Sequence, residues 1–244
     1  MRLLALLLLV ACGGGAGTRP DFGWWGALDG PGANLALIAP DTLEQVGPLS
    51  QRARSLGLRP VLMVWPLIRS GGLKPDWSAI LDTAIAACGD CGYYMVDEPY
   101  LQVPQWTRGE LDAVAQRLPG AMLSLSPLDL QNEVYVPQGV TLGVNLYSSA
   151  GQTPASALRY LDTLATYGRP MYLNLDGIVI GKCEDVRPEH IDAAIALNEA
   201  MHAWAQGRVK TYIAFYWQTT AEFCGAKDTA LGRYIVATFG KADT

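Results

Sequence analysis

"RPVLMVWPLIRSGGLKPDWSAILDTAIAACGDCGYYMVDEP", residues 59–99, decides how this chain folds. Its first part, read with Leu58 as "LRPVLMVWPLI", is a continuous apolar run of the kind that forms a buried strand. "DWSAILDTAIAACG" follows as a helix with Asp76 at its N-cap. "GYYMVDEP" is again β-prone and apolar until two adjacent carboxylates and a proline close it. Strand, helix and strand in succession imply parallel neighbours, because a parallel pair needs a crossover of a dozen or more residues.

The unit repeats outward in both directions. "FGWWGAL" (22–28), "NLALIAP" (34–40), "AMLSLSP" (121–127), "VTLGVNLYSS" (140–149), "RPMYLNLDGIVI" (169–180) and "VKTYIAFYWQT" (209–219) read as further strands. Between them lie helical segments with their own punctuation. "DTLEQVGPLSQRARSLG" opens with Asp41 as N-cap and Glu44 three residues on, and Gly47-Pro48 is expected to kink or split it. Thr107 and Glu110 form a capping box, and Thr153-Pro154 and Gly168 bracket another helix. "RPEHIDAAIALNEAMHAWAQG" and "TALGRYIVATFG" complete the set. Eight strands, most followed by a helix, predict an α/β fold: a single (β/α)8 TIM barrel over residues 21–241, short for that fold. Only five residues join strands 1 and 2, so strand 1 is expected as an antiparallel hairpin arm or as an irregular part of the barrel, and irregularity is expected at strands 5–6, where no clear helix is seen. An incomplete or open α/β sheet is the second choice.

Half of the 244 residues are hydrophobic, enough for one large core, and the net charge of −5 leaves nothing to neutralise a phosphate backbone, so no nucleic acid is expected. No GxGxxG follows a strand and no P-loop is present, so neither a nucleotide nor another cofactor is expected. The N-terminus, "MRLLALLLLVACGGGAGTRP", has a positive Arg2 and an apolar stretch too short to span a bilayer. Residues 1–11 read as a signal peptide. "LVAC" resembles the lipobox of bacterial lipoprotein signals, which implies lipidation at Cys12, residues 12–20 as a tether, and an exported protein held to a membrane by its lipid anchor only. A plain secretory signal is the alternative. Of the five cysteines, Cys88, Cys91, Cys183 and Cys224 then remain, an even number in an oxidising compartment. The pairing expected is Cys88–Cys91 and Cys183–Cys224, the latter because the loops after strands 7 and 8 are neighbours. A redox or zinc role for "CGDC" is the competing reading.

Side chains alternate between the interior and the helical layer along a barrel strand. Tyr172, Asn174 and Asp176 therefore face the axis in strand 7, and Asn145 and Tyr147 in strand 6. In strand 4 alternation puts Glu98 with Tyr94 and points Asp97 away. In strand 8 Tyr216 and Gln218 oppose Phe215 and Trp217. These polar groups gather at the C-terminal ends of strands, where active sites of this fold lie. Trp24, Trp25, Trp65, Tyr100, Trp106, Tyr147, Tyr216 and Trp217 lie at or just beyond strand tops, as barrel packing or as platforms for a sugar ring. His190 and His202 both fall in the helix after strand 7, away from the mouth, so a Ser-His triad or a His-ligated metal is not expected. Carboxylates and aromatics are what remains, and glycosidic hydrolysis needs little more than two carboxyl groups across the bond.

"VDEPY" at the end of strand 4 resembles the strand-4 motif of the retaining (β/α)8 glycoside hydrolases of clan A, an Asn-Glu pair often followed by Pro. The resemblance implies Glu98 as acid/base, with Asp97 in place of the usual Asn. Asp176 in "LNLDG" stands where the clan has its nucleophilic Glu, and Trp217 matches a frequent aromatic. These two departures leave retaining and inverting mechanisms both open. The expectation is a cell-envelope glycoside hydrolase acting on an oligo- or polysaccharide. Glu98 and Asp176 are its catalytic pair, and Asp97, Trp24, Trp65, Asn145, Tyr147, Asn174, Tyr216 and Trp217 bind substrate. Glu133 is the reserve carboxylate, with Asp29 and Glu222 behind it. The alternative is a degenerate barrel that binds glycan without cleaving it.

Overall fold

The computed structural model describes residues 20–240 except Gly26, Asp29, 181–182, 216–218, 220–222 and Asp228, and it leaves aside the side chains of 178–180 and 223. The signal segment, Cys12, Asp29, Tyr216, Trp217, Gln218 and Glu222 therefore lie outside the described residues. Strands β1 (Asp21–Trp24), β2 (Leu35–Ile38), β3 (Arg59–Met63), β4 (Gly92–Asp97), β5 (Met122–Leu125), β6 (Thr141–Val144), β7 (Met171–Leu175) and β9 (Val209–Ala214) close a barrel in that order. Every neighbouring pair is parallel, and β9 returns to β1. The two remaining strands, β8 (Ile178–Ile180) and β10 (Phe223–Gly225), form a small antiparallel sheet of their own. Helices α1 (Leu43–Ser55), α2 (Trp65–Ile68), α3 (Trp77–Cys88), α4 (Arg108–Arg117), α5 (Pro127–Gln131), α6 (Pro154–Thr166), α7 (Pro188–Ala205) and α8 (Ala230–Phe239) fill the connections. Among the described residues no helix is long and apolar enough to cross a membrane.

Alternation sorts the strands into two apolar layers. Phe22, Ile38, Leu62, Leu123, Leu142 and Leu173 pack outward under the helices. Leu35, Leu37, Val61, Met63, Tyr94, Tyr172 and Ile213 fill the axis. Tyr94 and Tyr172 meet edge-on at 6.3 Å across that axis. Gly143 makes the meeting possible, since a Cβ there would lie 2.4 Å from Cζ of Tyr172.

Several local expectations change. β1 pairs with β2 in parallel, because β1 stops at Trp24 and the described residues between the two strands form a connection without a helix. The run 58–68 is strand only to Met63, after which Trp65-Pro66 starts α2. The long seventh strand breaks at Gly177, where a Cβ would lie 2.2 Å from the Phe215 carbonyl oxygen, and its tail leaves the barrel as β8. Helix α1 is capped at Thr42 rather than Asp41, makes no side-chain cap bond, and carries Pro48 within it unsplit. Asp76 precedes α3 without bonding its backbone. Thr107 and Glu110 do form a capping box, and Thr153 caps α6 with Ser156. The connection between β5 and β6 holds the short α5, capped by Ser126 and Asp129.

Both disulfides form as paired in the sequence: Cys88–Cys91 at the end of α3, and Cys183–Cys224. The second ties the β7–α7 loop to β10, and on the chain-entropy view a closure of that length contributes about 4 kcal/mol. The first closes too short a loop to contribute comparably.

Gly143→Ala is expected to lower the unfolding free energy by about 1–3 kcal/mol, the range for overpacking a filled core. A thermal melt should show Tm falling by roughly 3–10 °C; an unchanged Tm would mean that the Tyr172 ring yields freely.

Candidate active site

Asn145, one residue past β6, joins the ends of four strands. Its Nδ2 donates to Asp97 Oδ1 at 3.0 Å and to Glu98 Oε1 at 2.9 Å. Its Oδ1 accepts from Ser124 Oγ at 2.9 Å and from Asn174 Nδ2 at 2.6 Å. Both hydrogens and both lone pairs of the amide are thereby used. Ser124 in β5 is equally saturated, accepting from the Tyr172 hydroxyl at 3.0 Å and from Asn174 Nδ2 at 2.5 Å. Asp97 takes a second bond on Oδ1 from the Tyr94 hydroxyl, 2.9 Å. The network is buried except where Asp97 and Glu98, each partly exposed, reach the mouth.

Strict alternation put Asp97 and Glu98 on opposite faces, and the structure corrects this for a backbone reason. The β4–β5 register shifts between Tyr94 and Val96, so that Asp97 pairs with Ser124. The extra residue advances the side-chain phase by one and brings Asp97 to the face of Tyr94. Glu98 then adopts φ +45°, a left-handed conformation that costs a non-glycine residue free energy. Its amide still extends the ladder to the Ser124 carbonyl, 2.9 Å. The turn lets two consecutive carboxylates converge on one amide.

Burial is the largest influence on Glu98, and with the charges of Asp97 and Asp129 it raises the carboxyl to about 7, against the Asn145 bond. Asp97 is also raised by burial, while its bonds from Asn145 and Tyr94 pull the other way. Asp129 was not among the sequence candidates. It serves as the capping carboxylate of α5, accepting from Ser126 N at 2.7 Å, and acts on Glu98 through charge alone.

Asp176, directly after β7, is fully buried. Its Oδ2 accepts from Ser148 N at 2.8 Å and Ser148 Oγ at 2.6 Å, and its backbone is clamped on both sides by the Asn198 amide of α7. Ser148, whose role was not read from the sequence, thus covers the second carboxylate. Tyr147 connects the two. Burial first, then the charges of Asp97, Glu98 and Asp176, push its hydroxyl well above the usual tyrosine range. That hydroxyl is sealed from solvent and has no hydrogen-bond partner among the described residues.

The aromatic residues divide. Trp24 is fully buried in the outer layer, edge-on to Phe22, with Nε1 donating to Pro31 O at 3.2 Å. Strand parity sends it under the helices, so it is core rather than platform. Its neighbour Trp25 takes the mouth position, stacked on Phe215 at 4.8 Å and edge-on to Tyr94 at 5.1 Å. Trp65 is partly exposed at the start of α2, and its buried Nε1 has no partner among the described residues. Tyr100 is tied to the Tyr135 carbonyl and Trp106 is buried against Gln102, so both are structural. Glu133 is exposed in the loop after α5. Among the described residues no group of three His, Cys, Asp or Glu could hold a metal ion.

Because Glu98 is raised in the folded state, its contribution to stability is full below the unfolded value near 4.5 and is lost as pH rises through about 7. Asp97 acts in the same direction. Tm should therefore decline between about pH 5 and 8, and Glu98→Gln should flatten part of that decline. A melting series in which the variant and the parent fall in parallel would count against the raised carboxyl.

No family model matches the sequence, and no curated protein matches it either. Solved structures do match in fold. A GH113 β-1,4-mannanase superposes with TM-score 0.58 and 12% identity, covering 91% of this chain and 98% of that one. The GH53 catalytic domain of Ignisphaera aggregans gives TM-score 0.57 at 9% identity over 92% of each chain. The GH113 β-mannanase AaManA of Alicyclobacillus acidocaldarius, in complex with ManMIm, gives 0.53 at 12% identity over 86% and 87%. At such identities the likeness is one of fold: this chain has a closed (β/α)8 barrel like theirs.

Proposed function

We propose that this protein is a glycan-active hydrolase of the cell envelope that cleaves O-glycosidic bonds at the mouth of its barrel. The observation that carries the reading is the pair Asp97–Glu98 held on one Asn145 amide, with Glu98 raised to about 7. A carboxyl poised there is protonated near neutral pH and can donate to a leaving oxygen. Glu98 is the proton donor. Asp176 is the second carboxylate, nucleophile or base, and Tyr147 lies within reach of the charge of both. Asn145 and Asn174 hold the geometry, and Trp25 and Trp65 line the sugar site. The comparison structures include enzymes described in complex with xyloglucan and cellotriose, which supports a saccharide partner.

Export is part of the same reading. Residues 1–11 serve as signal peptide, Cys12 carries the lipid, 12–20 form the tether and 21–241 the barrel. The two disulfides support an oxidising destination.

One observation favours a second reading, a barrel that binds glycan without cleaving it. Asp176 has no exposed surface, and Ser148 occupies its Oδ2 with two hydrogen bonds.

Glu98→Gln should reduce product release from a β-linked oligosaccharide panel by about 10³-fold or more, with glycan binding, and Tm measured near pH 5, nearly unchanged. Wild-type activity should fall as pH rises above about 7, where the acid is lost. Full activity in the variant would remove Glu98 from the chemistry. Binding without product in the wild type would establish the second reading.

A further inference from the structure

Among the described residues, Asp97 and Glu98 form no ion pair. The charges of Asp97 and Asp129 both act on Glu98. The four ion pairs among the described residues, Arg59–Asp21, Arg69–Glu110, Arg108–Asp112 and Arg117–Asp82, involve none of the three. Asp97 stands where the resembled motif has a neutral Asn, and only its Oδ1 is used, by Tyr94 and Asn145. Its Oδ2 has no protein donor among the described residues, and the side chain is partly exposed. Independently, the Tyr147 hydroxyl is buried amid the Asp97, Glu98 and Asp176 charges with no partner. Beside them Trp25, packed on the ring of the Tyr94 whose hydroxyl holds Asp97, offers a partly exposed flat face.

We propose that this mouth selects a cationic sugar: Asp97 Oδ2 accepts a hydrogen bond from the ammonium group of a free 2-amino-sugar unit in an oligosaccharide. The inference rests on the glycan reading above and narrows its substrate class. An ammonium group brings three donors and one positive charge. It satisfies an open carboxylate oxygen and brings a positive charge beside Asp97. A metal ion is a poorer fit, since no described group of three ligands is assembled. The C–H face of the same ring lies against Trp25, as a neutral sugar would, so the ammonium adds selectivity to a platform that any glycan can use.

The test compares glucosamine tetramers with their fully N-acetylated counterparts and with cellotetraose and mannotetraose, by calorimetry on the full chain at pH 6 and low salt. The free-amine tetramer should bind roughly tenfold tighter or more than every neutral one, the scale of a charge-assisted hydrogen bond. Asp97→Asn keeps an oxygen for Tyr94 and Asn145 but removes the charge, and should bring the ratio close to one. Equal or reversed affinities in the wild type overturn the inference and leave the glycan reading standing. A preference that survives Asp97→Asn, or equal binding of spermine, an amine without a sugar, also overturns it. Failure of all the oligosaccharides to bind removes both readings.

Discussion

A single side-chain amide, that of Asn145, governs the upper part of this barrel. A polar group on the axis of a (β/α)8 barrel that loses its partner costs about 1–3 kcal/mol. Asn145 has its partners in full, with four bonds to residues from β4, β5 and β7 or just beyond. Ser124 and Tyr172 extend the network downward to the apolar axis, where Gly143 leaves room for the ring. The register of these strands, the position of the carboxylates and the packing beneath them are thus one coupled arrangement rather than separate features.

The backbone departs from regularity where that arrangement needs it. A shift in β4 turns Asp97 inward, and a left-handed residue brings Glu98 alongside. Neither conformation is preferred by the residues that adopt it. The bonds to Asn145 and the Ser124 carbonyl hold both in place. Burial first, and then the charge of Asp97 beside it, raise Glu98, so it retains its proton at pH values where an ordinary glutamate has lost it. The electrostatics of the mouth follow from the same bulge that sets its shape.

The parts read correctly from the sequence are those governed by short-range rules. The order of strands and helices follows from the apolar runs and their caps, and Thr107 and Thr153 cap the helices their spacing announced. The pairing of Cys183 with Cys224 followed from two loops emerging on one face of a parallel barrel. The polar face Tyr172–Asn174–Asp176 was visible as simple alternation. Alternation failed at Asp97, where one extra residue inverted it. It was set aside for Trp24, whose parity with Phe22 already placed it outward. Asp129 and Ser148 went unnoticed because a capping carboxylate and a loop serine carry no signal of what lies across the barrel from them.

The sequence by itself determined an alternating chain of eight barrel strands, two disulfides and a glutamate at the end of the fourth strand, because apolar period, cap chemistry and loop order are local properties. Only the tertiary structure decided that Asp97 joins Glu98, that Trp25 rather than Trp24 faces the mouth, and that Ser148 covers Asp176. Each of those depends on which strands lie side by side and in what register, and that is set by packing among residues far apart in the chain.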